Sequence, residues 1–268
     1  MRKTNKSEPR YFVYSIEKGF QVLQILTSQN RPLPLSDIAG ISGFNNTTTT
    51  RICHTLCELG FIERDKQKLY KITPKILTLG YPSICGLDWT QVARYYLEQL
   101  YEEIQETVNL TILDGAEIFF LVRIVKKDYL SFNIGIGTRL PAFCTATGKA
   151  ILSMGEPEKM QRVIRKLNFR PVTPHTIISL EKFMKEMEKI RKEGYATDHE
   201  ELSVGLRVIA VPILNKHGYA VAAISVAVST AEYGEMDIEE RFTHRLLEVS
   251  LEITEALKRI EASIIIGD

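Results

Sequence analysis

Thiols, imidazoles and clustered acids are the side chains best suited to chemistry, and this chain of 268 residues spaces few of them productively. Cys144 with His175 or His199 has the residue types of a nucleophile and its base, but no local motif joins them. A buried structural cysteine is the favoured reading. Cys53 and Cys57 flank His54 with no second half of a metal site. Asp198-His-Glu-Glu201 has cation-ligating atoms, against the commoner outcome of a solvated acidic loop. Gly148-Lys149 lacks the upstream glycine and the following Ser/Thr of a phosphate loop. The expectation is a protein that is not an enzyme, with no catalytic residue, no metal and no cofactor.

The same residues suit binding better. Gly135-x-Gly137 and Pro141 shape a loop leading to Thr145-Ala-Thr-Gly-Lys149, which opens a helix. Backbone N–H groups near Ala146 and Thr147 would offer a carboxylate a ready site. Asp198 and Ser225 add polar groups before and within strands of an otherwise apolar sheet. Few convergent polar groups in an apolar setting describe a small-molecule site.

A second constellation lies near the N-terminus. Residues 1–75 hold 12 Lys+Arg against 6 Asp+Glu, a net of +6, whereas the remainder carries −5 and the whole chain only +1. Within that basic quarter, Asn45 and Asn46 precede a helix running to Leu59, with Gly60 as its stop. At about 100° per residue, Ile52, Leu56 and Leu59 share one side, with Thr48, Thr49 and Thr55 at its margins. Thr47, Thr50, Arg51 and His54 occupy the other. Arginine can donate to guanine or phosphate, and threonine methyls can meet a thymine methyl. Arg64, Lys66, Lys68 and Lys71 follow on a hairpin suited to phosphate contact.

Helix signals position these side chains. Ser15 caps a helix carrying Ile16, Phe20, Leu23 and Leu26; Arg31-Pro-Leu-Pro34 is a connector; Ser36 precedes a short helix stopped at Gly43. With the hairpin Phe61–Thr73 around Asp65-Lys-Gln-Lys68, the order is that of a winged helix-turn-helix. A helix over about Trp89 to Gln105 joins the basic part to the acidic one. Its apolar stripe suits either pairing with a second chain or packing on its own domain.

Strands are expected at Val108–Leu113, Glu117–Val125, Tyr129–Ile134, Leu206–Leu214 and Tyr219–Val228, the last two meeting at Asn215-Lys-His-Gly218. Helices are expected at Gly148–Met154, Pro157–Lys166, Leu180–Glu193 and Asp237–Glu261. This segregation indicates an α+β domain with an antiparallel sheet. No apolar run is long enough to span a bilayer, no secretory signal opens the chain, and four cysteines suit a reducing cytoplasm.

In Gly137-Thr-Arg-Leu-Pro141, Thr145-Ala-Thr-Gly-Lys-Ala150, Gly194-Tyr-Ala-Thr-Asp-His-Glu-Glu201, Gly205-Leu-Arg207, Ile209-Ala-Val-Pro212 and Ala222-Ala-Ile-Ser225, the chain resembles the IclR-type transcriptional regulators. The likeness runs from about Tyr14 to Glu261. Thr47-Thr48 and Arg51 match that family's recognition-helix pattern, and Leu59-Gly60 its exit. The resemblance implies a winged helix-turn-helix DNA-binding domain (1–80), a linker helix region (81–105) and a GAF-like effector-binding domain (106–268). It further implies homodimers, or tetramers as dimers of dimers, on palindromic double-stranded operators, with a small organic acid as effector.

The family's pocket positions fall on Ala146, Thr147, Asp198, Val208, Ser225 and Ala227, with Leu130–Ile134 and Phe143 as apolar walls. The family often has cysteine where Val208 stands and a second serine where Ala227 stands. Both departures disfavour a very small, highly polar acid, and the first disfavours a metal. Arg139-Leu-Pro141, Arg170-Pro-Val-Thr-Pro-His175 and Gly205-Leu-Arg207 are most similar to the branch regulating aromatic acid degradation through β-ketoadipate, which implies an aromatic or partly apolar acid. The alternative is an enzyme with a DNA-binding appendage acting on a small carboxylate.

Overall fold

The computed structural model describes residues 11–29, 31–80, 88–126, 134–233 and 237–260. Two compact units divide the chain, Met1–Ser83 and Ile84–Asp268.

The first unit packs α1 (Tyr14–Gln29), α2 (Leu35–Ser42) and α3 (Asn46–Glu58) around Val22, Leu26, Ile38, Cys53 and Leu56. The side chain of Asn45 accepts the Thr48 N–H at 2.8 Å, a cap worth about 1 kcal/mol. Gly43 ends α2 at φ 72, in the left-handed region that glycine adopts at no steric cost. Ser36 is no cap, because α2 begins one residue earlier, after Pro34. β2 (Ile62–Arg64) and β3 (Leu69–Ile72) form the expected hairpin. The Asp65 carboxylate accepts the N–H groups of Gln67 and Leu69, both at 2.9 Å, and Lys68 takes the positive φ. This chemistry replaces the missing Asn-Gly turn. The segment read as a connector supplies a third strand, β1 (Leu33–Pro34), paired with β3.

The second unit centres on a six-stranded antiparallel sheet with the order β6-β5-β4-β9-β8-β7. Its strands are β4 (Thr107–Asp114), β5 (Glu117–Ile124), β6 (Arg139–Pro141), β7 (Ala196–His199), β8 (Leu206–Leu214) and β9 (Ala220–Ser229). On one face lie α4 (Asp88–Ile104) and α8 (Asp237–Ile260), which bury Trp89, Ala93, Leu97 and Leu100 against Ile209, Val211, Ile224 and Val226. The α4 stripe therefore packs on its own domain. On the other face lie α5 (Ala146–Met154), α6 (Pro157–Ile164) and α7 (Leu180–Glu193), closed over Ala210, Ala223 and Ala227 by Ile151, Phe183 and Met187.

Two strands were not expected. Pro141 and the residues before it, read as loop, form edge strand β6 on β5, and the segment around Asp198, read as an acidic loop, forms edge strand β7 on β8. Residues 129–133 of the expected strand Tyr129–Ile134, and with them the walls 130–133, fall outside the described residues, as does the junction 81–87.

Candidate functional site

Antiparallel pairing brings residues far apart in sequence into rows on the α5 face of the sheet. One row runs Thr107–Ala227–Val208–Asp198 across β4, β9, β8 and β7. The next, two residues along each strand, runs Arg123–Asn109–Ser225–Ala210. Side chains two residues apart on a strand share a face. Together with the start of α5, these rows, apart from Ala210, line a narrow cavity of about 40 Å³, walled by Ile118, Phe120, Ile134, Leu140, Leu202 and Leu206. Ala146, Thr147, Asp198, Val208, Ser225 and Ala227 all lie on its wall. Phe143 does not: it packs edge-on against Phe169, with ring centroids 5.5 Å apart.

The first turn of α5 meets the cavity without a side-chain cap, and the Thr145 hydroxyl donates back to Pro141 O at 3.1 Å. Its N–H groups therefore carry the positive end of the helix dipole toward the cavity. The sharp entry into α5 needs Gly148, where a Cβ would stand 2.2 Å from the carbonyl oxygen of Ala142.

Asp198 is the buried acid of the site. Its Oδ1 accepts the Glu201 N–H at 2.7 Å, while Oδ2 is buried with no hydrogen-bond partner. Burial pushes its carboxyl up to about 7, with Glu201 adding to the rise, against the opposing pull of Lys149 and the N–H groups of Glu201 and Leu202. Lys149, 1% exposed, donates to Glu201 Oε1 and lies 3.9 Å from a Glu186 oxygen. The Asp198–Glu201 segment is thus no solvated acidic loop, since its two end residues are buried. His199 and Glu200 turn away, to Glu239 at 3.3 Å and to His175 at 3.5 Å. No group of three metal-ligating side chains occurs among the described residues.

Opposite Asp198, an Arg123 guanidinium N–H donates to Asn109 Oδ1 at 2.9 Å, and Asn109 Nδ2 donates to Ser225 Oγ at 3.2 Å. Arg123, Asn109 and Thr107 went unnoticed in the sequence. The signal was the alternation in β4, whose polar positions Thr107, Asn109 and Thr111 are all buried.

Cys144 cannot act as a nucleophile near neutrality, because burial raises its thiol to about 12. Cys53 is likewise buried and raised to about 11.

In the first unit, Thr47, Thr50, Arg51 and His54 form one exposed face of α3, and Arg64, Lys66 and Lys68 are exposed on the hairpin. Arg64 stacks over the Tyr70 ring at 5.4 Å, and Lys71 is held by Glu63 at 2.8 Å. The buried side of α3 is Thr49, Cys53 and Leu56. Leu59, expected on that side, is half exposed because the helix has already ended.

The bacterial transcriptional regulator IclR C-terminal family matches residues 83–255, and the IclR helix-turn-helix domain matches residues 15–66. The chain belongs to the IclR family. Among its relatives, the Pca regulon regulatory protein of Pseudomonas putida is 28% identical over 247 residues, covering 92% of this chain and 84% of that protein. The p-hydroxybenzoate hydroxylase transcriptional activator of Acinetobacter baylyi is 27% identical over 224 residues, with 82% of each covered. The solved IclR structure of Thermotoga maritima has a TM-score of 0.73 at 27% identity, covering 91% of this chain and 98% of that one. As an IclR-family transcriptional regulator, the chain joins a helix-turn-helix unit to an antiparallel-sheet unit. No described helix is long and apolar enough to cross a membrane.

Proposed function

We propose that this IclR-family protein is a one-component regulator that senses a small organic acid in the sheet cavity and performs no catalysis. The carrying observation is the cavity itself, where uncapped α5 N–H groups, a buried Asp198 and the Arg123–Asn109–Ser225 row meet apolar walls of Ile118, Phe120, Ile134, Leu140, Leu202 and Leu206. The first features suit a carboxylate, and Val208 and Ala227 present only carbon along their row. An aromatic or other partly apolar acid fits that balance, in keeping with the names of the Pseudomonas and Acinetobacter relatives. At about 40 Å³ the cavity is below the ~150 Å³ of a benzene-binding cavity, so a ring must bind a more open state.

In the proposed division of labour, residues 1–80 read DNA, 81–105 connect, and 106–268 sense the acid. Thr47, Thr50, Arg51 and His54 enter the major groove, while Arg64, Lys66 and Lys68 reach phosphate. The protein acts in the cytoplasm as a homodimer, or as a tetramer of two dimers, on palindromic DNA. Exposed Tyr11, Phe12, Tyr14, Ile16 and Phe20, at and before α1, support a self-pairing surface. The alternative, an enzyme on a small carboxylate, is disfavoured by the inert Cys144 thiol.

Thermal-shift measurements with benzoate, 4-hydroxybenzoate, protocatechuate, glyoxylate and pyruvate test the sensing role. Stabilisation by the aromatic acids is expected. Stabilisation by glyoxylate or pyruvate alone would overturn the effector class, and turnover of a bound acid would overturn the regulator.

A further inference from the structure

Four titratable groups, Asp198, Lys149, Glu201 and Glu186, cluster beside the α5 end of the cavity, and their charges do not balance if all are ionised. Lys149, from α5, is spent on Glu201, from the turn after β7. Glu186, from α7, approaches the same ammonium at 3.9 Å. Cys144, from the turn before α5, is a neutral thiol. On β7 and β8, His199 and Arg207 pair one register position along, and His199 engages Glu239 of α8. Arg123, on β5, lines the opposite wall of the same cavity and donates to Asn109. The one ammonium beside Asp198 thus already faces two glutamates.

We infer that an effector carboxylate enters this site together with a proton, held on Asp198 Oδ2. The inference rests on the acid-sensing role proposed above. Asp198, whose Oδ2 is buried and unpartnered, lies on the wall shared with the start of α5, which is where an anion is drawn. Two ionised carboxylates cannot share hydrogen-bond contact in a buried cavity, and a proton between them turns repulsion into a donated hydrogen bond. Oδ1 cannot take that part, since it already accepts the Glu201 N–H. The raised affinity of Asp198 for protons accords with this geometry. The species recognised is then the acid as a carboxylate plus one proton, with no net charge added to the cavity. Affinity stays level while Asp198 is protonated in the free protein and falls by about tenfold per pH unit once it is not.

Isothermal titration of the full-length protein with benzoate and 4-hydroxybenzoate, from pH 6 to 9 in two buffers of different ionisation enthalpy, tests this directly. The expected result is uptake approaching one proton per acid bound at pH 8 and above, with affinity declining through that range. Asp198→Asn, whose amide donates without titrating, is expected to bind with a flat profile and no proton uptake. A flat wild-type affinity from pH 7 to 9 without proton uptake would overturn the inference and leave the acid-binding role intact. Undiminished uptake in Asp198→Asn would also overturn it. Failure of both acids to bind at pH 6 would remove the acid-sensing role and this inference together.

Discussion

Lys149 in the first half of α5 donates to Glu201 in the turn after β7, and both side chains are almost wholly buried. That ion pair ties the helix whose N-terminus opens on the cavity to the turn whose backbone holds Asp198. The Glu201 Oε2 atom also accepts the Ile177 N–H at 3.3 Å, and its carbonyl accepts the Thr176 hydroxyl at 2.8 Å. One glutamate therefore gathers three segments around the cavity floor.

Removing one partner of this pair leaves a buried charge uncompensated, which typically costs 3–5 kcal/mol, roughly. Lys149→Met is expected to lose about that much stability in urea unfolding. Lys149→Met with Glu201→Gln is expected to recover at least half of it. A single variant as stable as the wild type would show that the pair carries no such constraint.

Asp198 gives stability a pH dependence whose sign follows from its raised pKa. The folded protein retains a proton up to about pH 7 that the unfolded chain releases near 3.8. Its contribution is therefore complete below about pH 3.8 and is lost as pH rises through 7. Between these limits the wild type should lose about 1.4 kcal/mol per pH unit relative to Asp198→Asn. Unfolding of both proteins at pH 5 and pH 7 reads the difference, and parallel curves would refute it.

Arg51 is exposed at the centre of the proposed reading face of α3. Arg51→Ala is expected to weaken binding to DNA selected by the wild-type protein from a random pool by about 10- to 100-fold, as for loss of 1–3 kcal/mol. Acid affinity should not change. Fluorescence anisotropy at fixed salt checks the first expectation, and titration calorimetry the second. Retained sequence preference would remove Arg51 from the interface.

Gly148 is held by close approach, its φ being unremarkable for any residue. A methyl group there meets backbone atoms of Ala142 at 2.2–2.7 Å, and backbone cannot swing aside as a side chain can. Gly148→Ala is expected to destabilise the second unit by more than about 2 kcal/mol, as overpacking does, and to displace the start of α5. Thermal melting and acid binding should fail together.

Elements with strong periodicity were legible: α1, α3, α4, α7 and α8 begin and end within two residues of expectation, and β4, β5, β8 and β9 lie within one residue of the strand-like stretches expected. What escaped notice was short or at an edge. β1, β6 and β7 have two to four residues each, too few for a period, and exist because a neighbouring strand leaves its edge unpaired. Of the six pocket positions, Ala146, Thr147, Asp198 and Ser225 were legible from residue chemistry and Val208 and Ala227 only from the family pattern, and the pairing of β9, β8 and β7 unites four of their side chains in two rows. Arg123 and Asn109 were hidden because a polar residue in a strand reads as solvent-facing until the covering helix is known. The Lys149–Glu201 pair was hidden for a related reason: lysine in a helix is ordinarily solvated, and only its partner 52 positions along makes burial tolerable.

The threonines of α3 have one further consequence. Thr50 donates its hydroxyl to Asn46 O at 2.7 Å, and Thr55 donates to Arg51 O at 2.9 Å. With that hydrogen committed to the helix, Thr50 offers an approaching base edge a methyl group and oxygen lone pairs, but no donor. In the proposed complex it would favour a thymine methyl or an exocyclic amine of adenine or cytosine, and stay silent toward the acceptor-rich edge of guanine. Guanine recognition on that face is then left to Arg51, His54 and Thr47, so substitution of Thr50 alone would leave the tolerance for G·C pairs in the operator unchanged.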